Sequence, residues 1–294
     1  MILRAELRGS GAVIPLDGIE QHGYGWQVQA GVSGLGLPPV TVQWAVGVGD
    51  GASYRGTRTQ PREIDLPLHL VARTHDEMED YLEQMAIVLS APCELHLTTH
   101  SDTWRIPVVR TGGGDIRPGV DIFSAPEFAT SVTVTAGDPY FSAGKIQTLQ
   151  LGGGASEPFL TNFANLNLSN TSLLGAATFY NQGDVPALPL WTVYGPATSV
   201  KLTAPETIRP DGTARPGQTL EWIGALGPTD TLVIDARNST AIINGTTNAY
   251  PGLSVAPKFW AIPPGRSVAG VEVADTTADG KVTVEWQARR WAVV

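Results

Sequence analysis

Apolar residues recur at every second position in several stretches of this chain, the period of a strand that buries one face. Val40, Val42, Trp44, Val46 and Val48 point one way while Thr41 and Gln43 point the other. Ile64, Leu66, Leu68, Leu70 and Ala72 repeat the pattern against Glu63, Asp65, His69 and Arg73. Near the C-terminus Val282, Val284, Trp286 and Ala288 alternate with Lys281, Thr283, Glu285 and Gln287. Shorter alternating runs cover Cys93 to Thr98 and Ser131 to Ala136. Each run predicts an antiparallel, half-solvated strand whose apolar side rests on a core.

One segment changes period. Thr74-His-Asp-Glu77 spells a capping box, with Thr74 as N-cap and Glu77 as the residue that reaches back. Met78, Tyr81, Leu82, Met85, Ala86 and Leu89 then recur at three- and four-residue spacing, and Glu79, Asp80, Glu83 and Gln84 take the other side. Ala91-Pro92 ends the run, because the residue before a proline avoids the α region. The spacing predicts a helix over 74–90, with Met78, Tyr81, Leu82 and Met85 forming a face that packs on the domain or on another copy.

Turn residues divide the chain. Gly137-Asp-Pro139 reads as a turn and Gly152-Gly-Gly154, with Ala155-Ser156 after it, as a connector, so the domain boundary is expected near residue 142. Residues 1–141 then form a β-barrel or sandwich braced by one helix. Residues 142–294 hold short strands between turns at Pro210-Asp-Gly212, Arg215-Pro-Gly217, Asn244-Gly245, Pro251-Gly252, Pro263-Pro-Gly265 and Asp279-Gly280. Short strands with no helical period between them predict a sandwich or jelly roll.

Composition agrees with a mainly β chain. At 294 residues it exceeds the usual size of one core. Its 33 Gly and 22 Pro, with only 16% charged residues, exclude a helical bundle built on Glu, Lys and Leu, and 42% hydrophobic residues exclude disorder. A net charge of -9 speaks against a surface that neutralises many phosphates. Cys93 is the single cysteine, so neither a disulfide framework nor a thiolate metal cluster can form. Met1 to Gly11 carries Arg4, Glu6 and Arg8 and no apolar signal core, and no run of about 18 apolar residues occurs. A soluble chain that is not exported is expected, with no membrane contact. The four Asn-x-Ser/Thr triplets, from Asn167 to Asn244, therefore read as ordinary turn residues.

Candidate chemistry is thin. His96 and His100 share a strand face but stand roughly 13 Å apart at strand rise, too far for one metal ion. Gly112-Gly-Gly114-Asp115 and Gly152-Gly-Gly154 precede no helix and lack the Lys-Ser/Thr of a phosphate loop. There is no Gly-x-Ser-x-Gly elbow and no recognisable Cys-His pair. No catalytic residue, cofactor or metal is expected. Trp191, Trp222, Trp260, Trp286 and Trp291 all lie in the C-terminal half. Their faces could stack on sugar rings, with Trp191 and Trp260 the candidates for a glycan site, or they could fill the core. Trp286, in phase with Val282 and Val284, belongs to the core.

Motifs in order carry a resemblance. Phe179-Tyr-Asn-Gln-Gly-Asp184, Pro186, Pro189 and Trp191-Thr-Val-Tyr-Gly-Pro196 come first. Leu232-Val-Ile-Asp235, Ile243-Asn-Gly245, Phe259-Trp-Ala-Ile-Pro-Pro-Gly265 with Arg266-Ser267, and the closing strand from Val282 to Trp291 with Arg289-Arg290 follow. Tyr54-Arg-Gly56, the strand after Arg62, the helix at 74 to 89 and Gly137-Asp-Pro-Tyr140 take the corresponding places in the N-terminal half. Together they resemble the distal tail proteins of long, flexible-tailed bacteriophages. Arg266-Ser267 stands where the family commonly has Asn, and the first 50 residues match only loosely.

The resemblance implies a six-membered ring of N-terminal β domains with outer galectin-like sandwiches. Such a ring joins the major tail tube protein to the tail-associated hub or fibre protein at the virion's tail tip, after assembly in the host cytoplasm. DNA would only pass through its lumen. The alternative is a module that binds host cell-wall glycan.

Overall fold

Alternation becomes antiparallel pairing. The computed structural model describes residues 2–115, 117–118, 127–152, 167–169, 172–208, 214–277 and 280–293. Gly153 and Gly154 of the expected connector, the turn at Pro210-Asp-Gly212, Asp279 and Asn170 lie outside the described residues. The chain is mainly β and forms two compact units, Met1–Gly144 with Arg290–Val294, and Lys145–Arg289.

The first unit holds β1 (Ile2–Gly9), β2 (Ala12–Pro15), β3 (Gly25–Val28), β4 (Val40–Val46), β5 (Ala52–Thr59), β6 (Arg62–Val71), β7 (Cys93–Thr99), β8 (Thr103–Gly113), β9 (Arg117–Pro118) and β10 (Glu127–Ala136). Its last strand, β11 (Phe141–Gly152), begins in this unit. One sheet runs β2-β1-β7-β8-β11. In the other, β10 pairs with β6, β8 and β9, and β3 pairs with β6. β6 shows the expected pattern in full: Ile64, Leu66, Leu68 and Leu70 are buried, as is Ala72 just after it. Leu7, Leu95, Leu97, Ile106 and Val134 are buried from their own strands, so both sheets turn an apolar face inward.

β4 departs from expectation. Among the described residues it pairs with β5 alone, as a separate two-stranded ribbon. The face expected to be buried is exposed, with Trp44 at 59%, Val46 at 81% and Val48 just beyond fully open. The alternation is real, but none of the described residues covers it.

The helix α2 (His75–Leu89) begins where the capping box puts it, and the Thr74 side chain accepts from the Glu77 backbone N–H at 3.2 Å. The reciprocal half reaches one residue further back than the motif implies. Glu77 accepts from the Arg73 backbone N–H at 2.8 Å and from its guanidinium at 2.6 Å. Met85, Val88 and Leu89 are its buried residues, whereas Met78, Tyr81 and Leu82 are half-buried and Ala86 is exposed. The buried face thus lies toward the C-terminal end, and Val88 belongs to it. A second, five-residue helix, α1 (Gly18–His22), had no sequence signal beyond Gly23, which ends it in the left-handed region at φ 80.

The second unit holds β12 (Asn167–Ser169), β13 (Ser172–Asn181), β14 (Leu190–Tyr194), β15 (Ala197–Thr203), β16 (Thr207–Ile208), β17 (Ala214–Arg215), β18 (Thr219–Leu226), β19 (Thr231–Asp235), β20 (Thr240–Ile243), β21 (Thr247–Asn248), β22 (Gly265–Ala274) and β23 (Lys281–Arg290). β12-β13-β22-β15-β18 make one sheet, and β23-β14-β19-β20-β21 follow one another in the other. A single apolar cluster takes residues from both, among them Phe179, Val200, Val271, Trp191, Ile234 and Val284. Asn244 and Gly245 turn β20 into β21 with φ of 52 and 73, the two positive values that an Asn-Gly hairpin turn supplies.

Candidate functional site

Three features of the first unit are surfaces or anchors. The first is a buried cation. Arg62 is in phase with Ile64 and Leu66, so its side chain enters the interior and is 1% exposed. Its Nε donates to the Pro139 carbonyl at 2.8 Å, and its Nη1 to the carbonyls of Gly34 and Gly36 at 2.7 Å each. Its Nη2 donates to the Trp291 carbonyl, and its guanidinium lies 4.7 Å from the centre of the Phe141 ring. Burial pushes the Arg62 pKa below its ordinary value. Four carbonyls from three distant stretches stand in for a counter-ion. Gly34 is required there, since at φ +82 a Cβ would sit 2.0 Å from the Glu63 carbonyl oxygen.

The second is an open apolar groove of about 500 Å³ beside α2, with Leu82, Met85 and Leu89 on one wall and Phe128 and Val132 on the other. Trp26, which also lines it, packs edge-on against Phe128 at 5.7 Å. The Trp26 indole N–H has no hydrogen-bond partner among the described residues, although the side chain is 2% exposed. Of the helix residues named from sequence, Leu82 and Met85 line this groove, and Tyr81 faces a smaller recess with Tyr24 and Gly25. Met78 lines neither.

The third is the β4–β5 ribbon. Its register places Trp44 opposite Tyr54, with ring centres 5.9 Å apart, and Val42 opposite Thr57. Val40 and Val46 extend the same face, so an apolar strip runs the length of the ribbon with none of the described residues covering it.

In the second unit the two tryptophans named for a glycan site are core residues. Trp191 is 1% exposed and Trp260 6%. Their rings meet edge-on at 5.6 Å, and the Trp260 Nε1 donates to the Leu202 carbonyl at 3.1 Å. With faces and N–H already engaged, neither offers a stacking platform, and the core-filling alternative is the one realised. A shallow cleft of about 170 Å³ does carry polar groups, Asp235, Arg237 and Glu285, beside Trp286. His96 meets Glu94 at 2.9 Å, and no cluster of three potential metal ligands occurs among the described residues. The Cys93 thiol is buried, which pushes its pKa up and away from the reactive thiolate.

Sequence reasoning missed two of these features. Arg62 was visible as a charge in phase with an apolar face. The groove needs the approach of α2 to β10, which no local pattern encodes.

Comparison with known proteins agrees with this geometry. A family model described as the siphovirus-type tail component, C-terminal domain, matches residues 182–291. No curated protein matches the chain. Among solved structures, the crystal structure of SPP1 Dit (gp 19.1), described as a paradigm of the hub adsorption apparatus in phages infecting Gram-positive hosts, superposes with a TM-score of 0.64. The identity is 10%, over 97% of this chain and 98% of that one. The phage P2 baseplate in its activated conformation with Ca contains a chain that superposes with a TM-score of 0.52 at 11% identity, covering 100% of both. Residues 182–291 therefore match a siphovirus-type tail component C-terminal domain, and the chain that carries them has the fold of the SPP1 Dit structure along nearly its whole length.

Proposed function

We propose that six copies of this chain close into a ring at the tail tip, between the tail tube protein and the tail-associated hub or fibre protein. The observation that carries the reading is the superposition on SPP1 Dit along nearly the whole length of both chains. The first unit forms the ring and the second, a galectin-like sandwich in this reading, lies outside it. A closed ring needs heterologous contacts, in which one patch of a subunit meets a different patch of the next. The uncovered apolar ribbon supplies a surface of that kind. A net charge of -9 suits a lumen that lets DNA pass, since a basic lining would hold the phosphates.

Negative-stain imaging and light scattering of the purified chain, alone and with the tail tube protein, test the reading. Six-fold rings with outer lobes are expected. A monomer under both conditions overturns it. The glycan-binding alternative loses the two tryptophans that motivated it, because both are buried.

A further inference from the structure

The β4–β5 ribbon and the groove beside α2 are two unpartnered apolar surfaces on one chain. A two-stranded ribbon is marginal alone in water, so strands that persist with an apolar strip uncovered point to an external cover. The ribbon does not reach its own groove, since Trp44 and Val46 remain exposed in the folded chain. Charge selects the match. The two strands carry Arg55 and Arg58 and no carboxylate. The helix α2 carries Asp76, Glu77, Glu79, Asp80 and Glu83 and neither Lys nor Arg. Glu83 stands on the groove's rim, with Glu79 one turn before it. The opposite rim is the basic Arg110, whose Nη1 already donates to the Gly113 carbonyl at 3.2 Å.

We propose that the β4–β5 ribbon of one copy seats its Val42–Trp44–Val46 strip in the α2 groove of the next, which brings the ribbon's net positive charge beside the acidic helix. The inference rests on the reading that copies of this chain assemble, and it deepens that reading by naming the two surfaces. Ribbon and groove are different patches, so the contact repeats from copy to copy and leaves a free ribbon and a free groove until a ring closes. The groove's volume lies within the range that holds a few large side chains.

The test mixes two full-length preparations, one carrying Val46→Cys and the other Ala86→Cys, under mild oxidation. Native Cys93 is 3% exposed and stays out of the reaction. A disulfide between positions 46 and 86, identified by peptide mass spectrometry, is the expected product of mixing. In parallel, Trp44→Glu leaves the circular dichroism and melting of the monomer unchanged and raises the concentration at which oligomers form by about tenfold or more. Glu83→Lys weakens assembly as well, and combining it with Arg55→Glu restores part of the loss.

Oligomers that form with no 46–86 link, and that ignore Trp44→Glu, overturn the pairing while leaving the ring intact. Protection of the groove from hydrogen exchange that is independent of protein concentration also overturns it, because the chain would then cover the groove itself. Absence of any oligomer, even with the tail tube protein, overturns both the pairing and the ring.

Discussion

In β6 the apolar residues Ile64, Leu66, Leu68 and Leu70 are at most 2% exposed, whereas in β4 Val40, Val42, Trp44 and Val46 range from 36% to 81%. The two strands alternate equally well, and both pair antiparallel. They differ in what lies over the apolar side. β6 has a strand on each edge, β3 and β10, and an interior beneath it. β4 has β5 on one edge and, among the described residues, no other strand paired with it. Period-two patterning specifies that a face must be covered, and leaves open whether the cover belongs to the same chain. In a subunit of an assembly the second case is the informative one.

The contrast can be broken at β6 first. Leu68→Ala should cost about 4 kcal/mol of folding stability, from lost burial and the cavity left behind, and urea unfolding would show it as a lower midpoint with unchanged slope. Arg62→Met should cost about 3 kcal/mol, because a methionine reaches the same space and leaves buried carbonyls without a donor. A midpoint shift near zero would mean that the four carbonyls find other donors.

A smaller effect sits on the solvent side of the same strand. Asp65 accepts from the Thr133 hydroxyl at 2.7 Å and the Ser33 hydroxyl at 2.9 Å, and these bonds hold its pKa below the usual carboxylate value. A depressed folded pKa contributes stability that is present above the unfolded value, about 3.9, and is lost as pH falls through the folded value. The advantage of the native chain over Asp65→Asn should be under about 1 kcal/mol at pH 7, the side chain being partly solvated, and should shrink below about pH 4. Melting curves of both chains from pH 7 to pH 2 would show the convergence, and parallel curves would contradict it.

The smallest effect closes the comparison. Val46→Ala should change monomer stability by no more than about 0.5 kcal/mol. A loss comparable to that at Leu68 would show that the strip is covered within the chain after all.

Much of the fold was legible because it is local. The capping box at Thr74, the alternation of β6 and β23, and the Asn244-Gly245 turn each state their conformation within a few residues. β1 was missed, although Leu3, Ala5 and Leu7 alternate with Arg4, Glu6 and Arg8, because those charges read only as the absence of a signal core. What stayed hidden depends on distance along the chain. The groove exists because α2 lies beside β10, and Arg62 is tolerated because residues 34, 36, 139 and 291 bring carbonyls to it. The tryptophans of the second unit were ambiguous in the sequence, as one residue type serves both cores and sugar platforms. Burial decided between the two.

The Arg62 anchorage also bears on the order in which the protein is made. One of its four acceptors is the carbonyl of Trp291, a residue that leaves the ribosome only after the whole second unit has been synthesised. The first unit can collapse early, but its guanidinium stays one acceptor short until residue 291 has been made. A chain cut off before that point keeps three of the four carbonyl acceptors, so its first unit is expected to be less stable than that of a chain that includes residue 291.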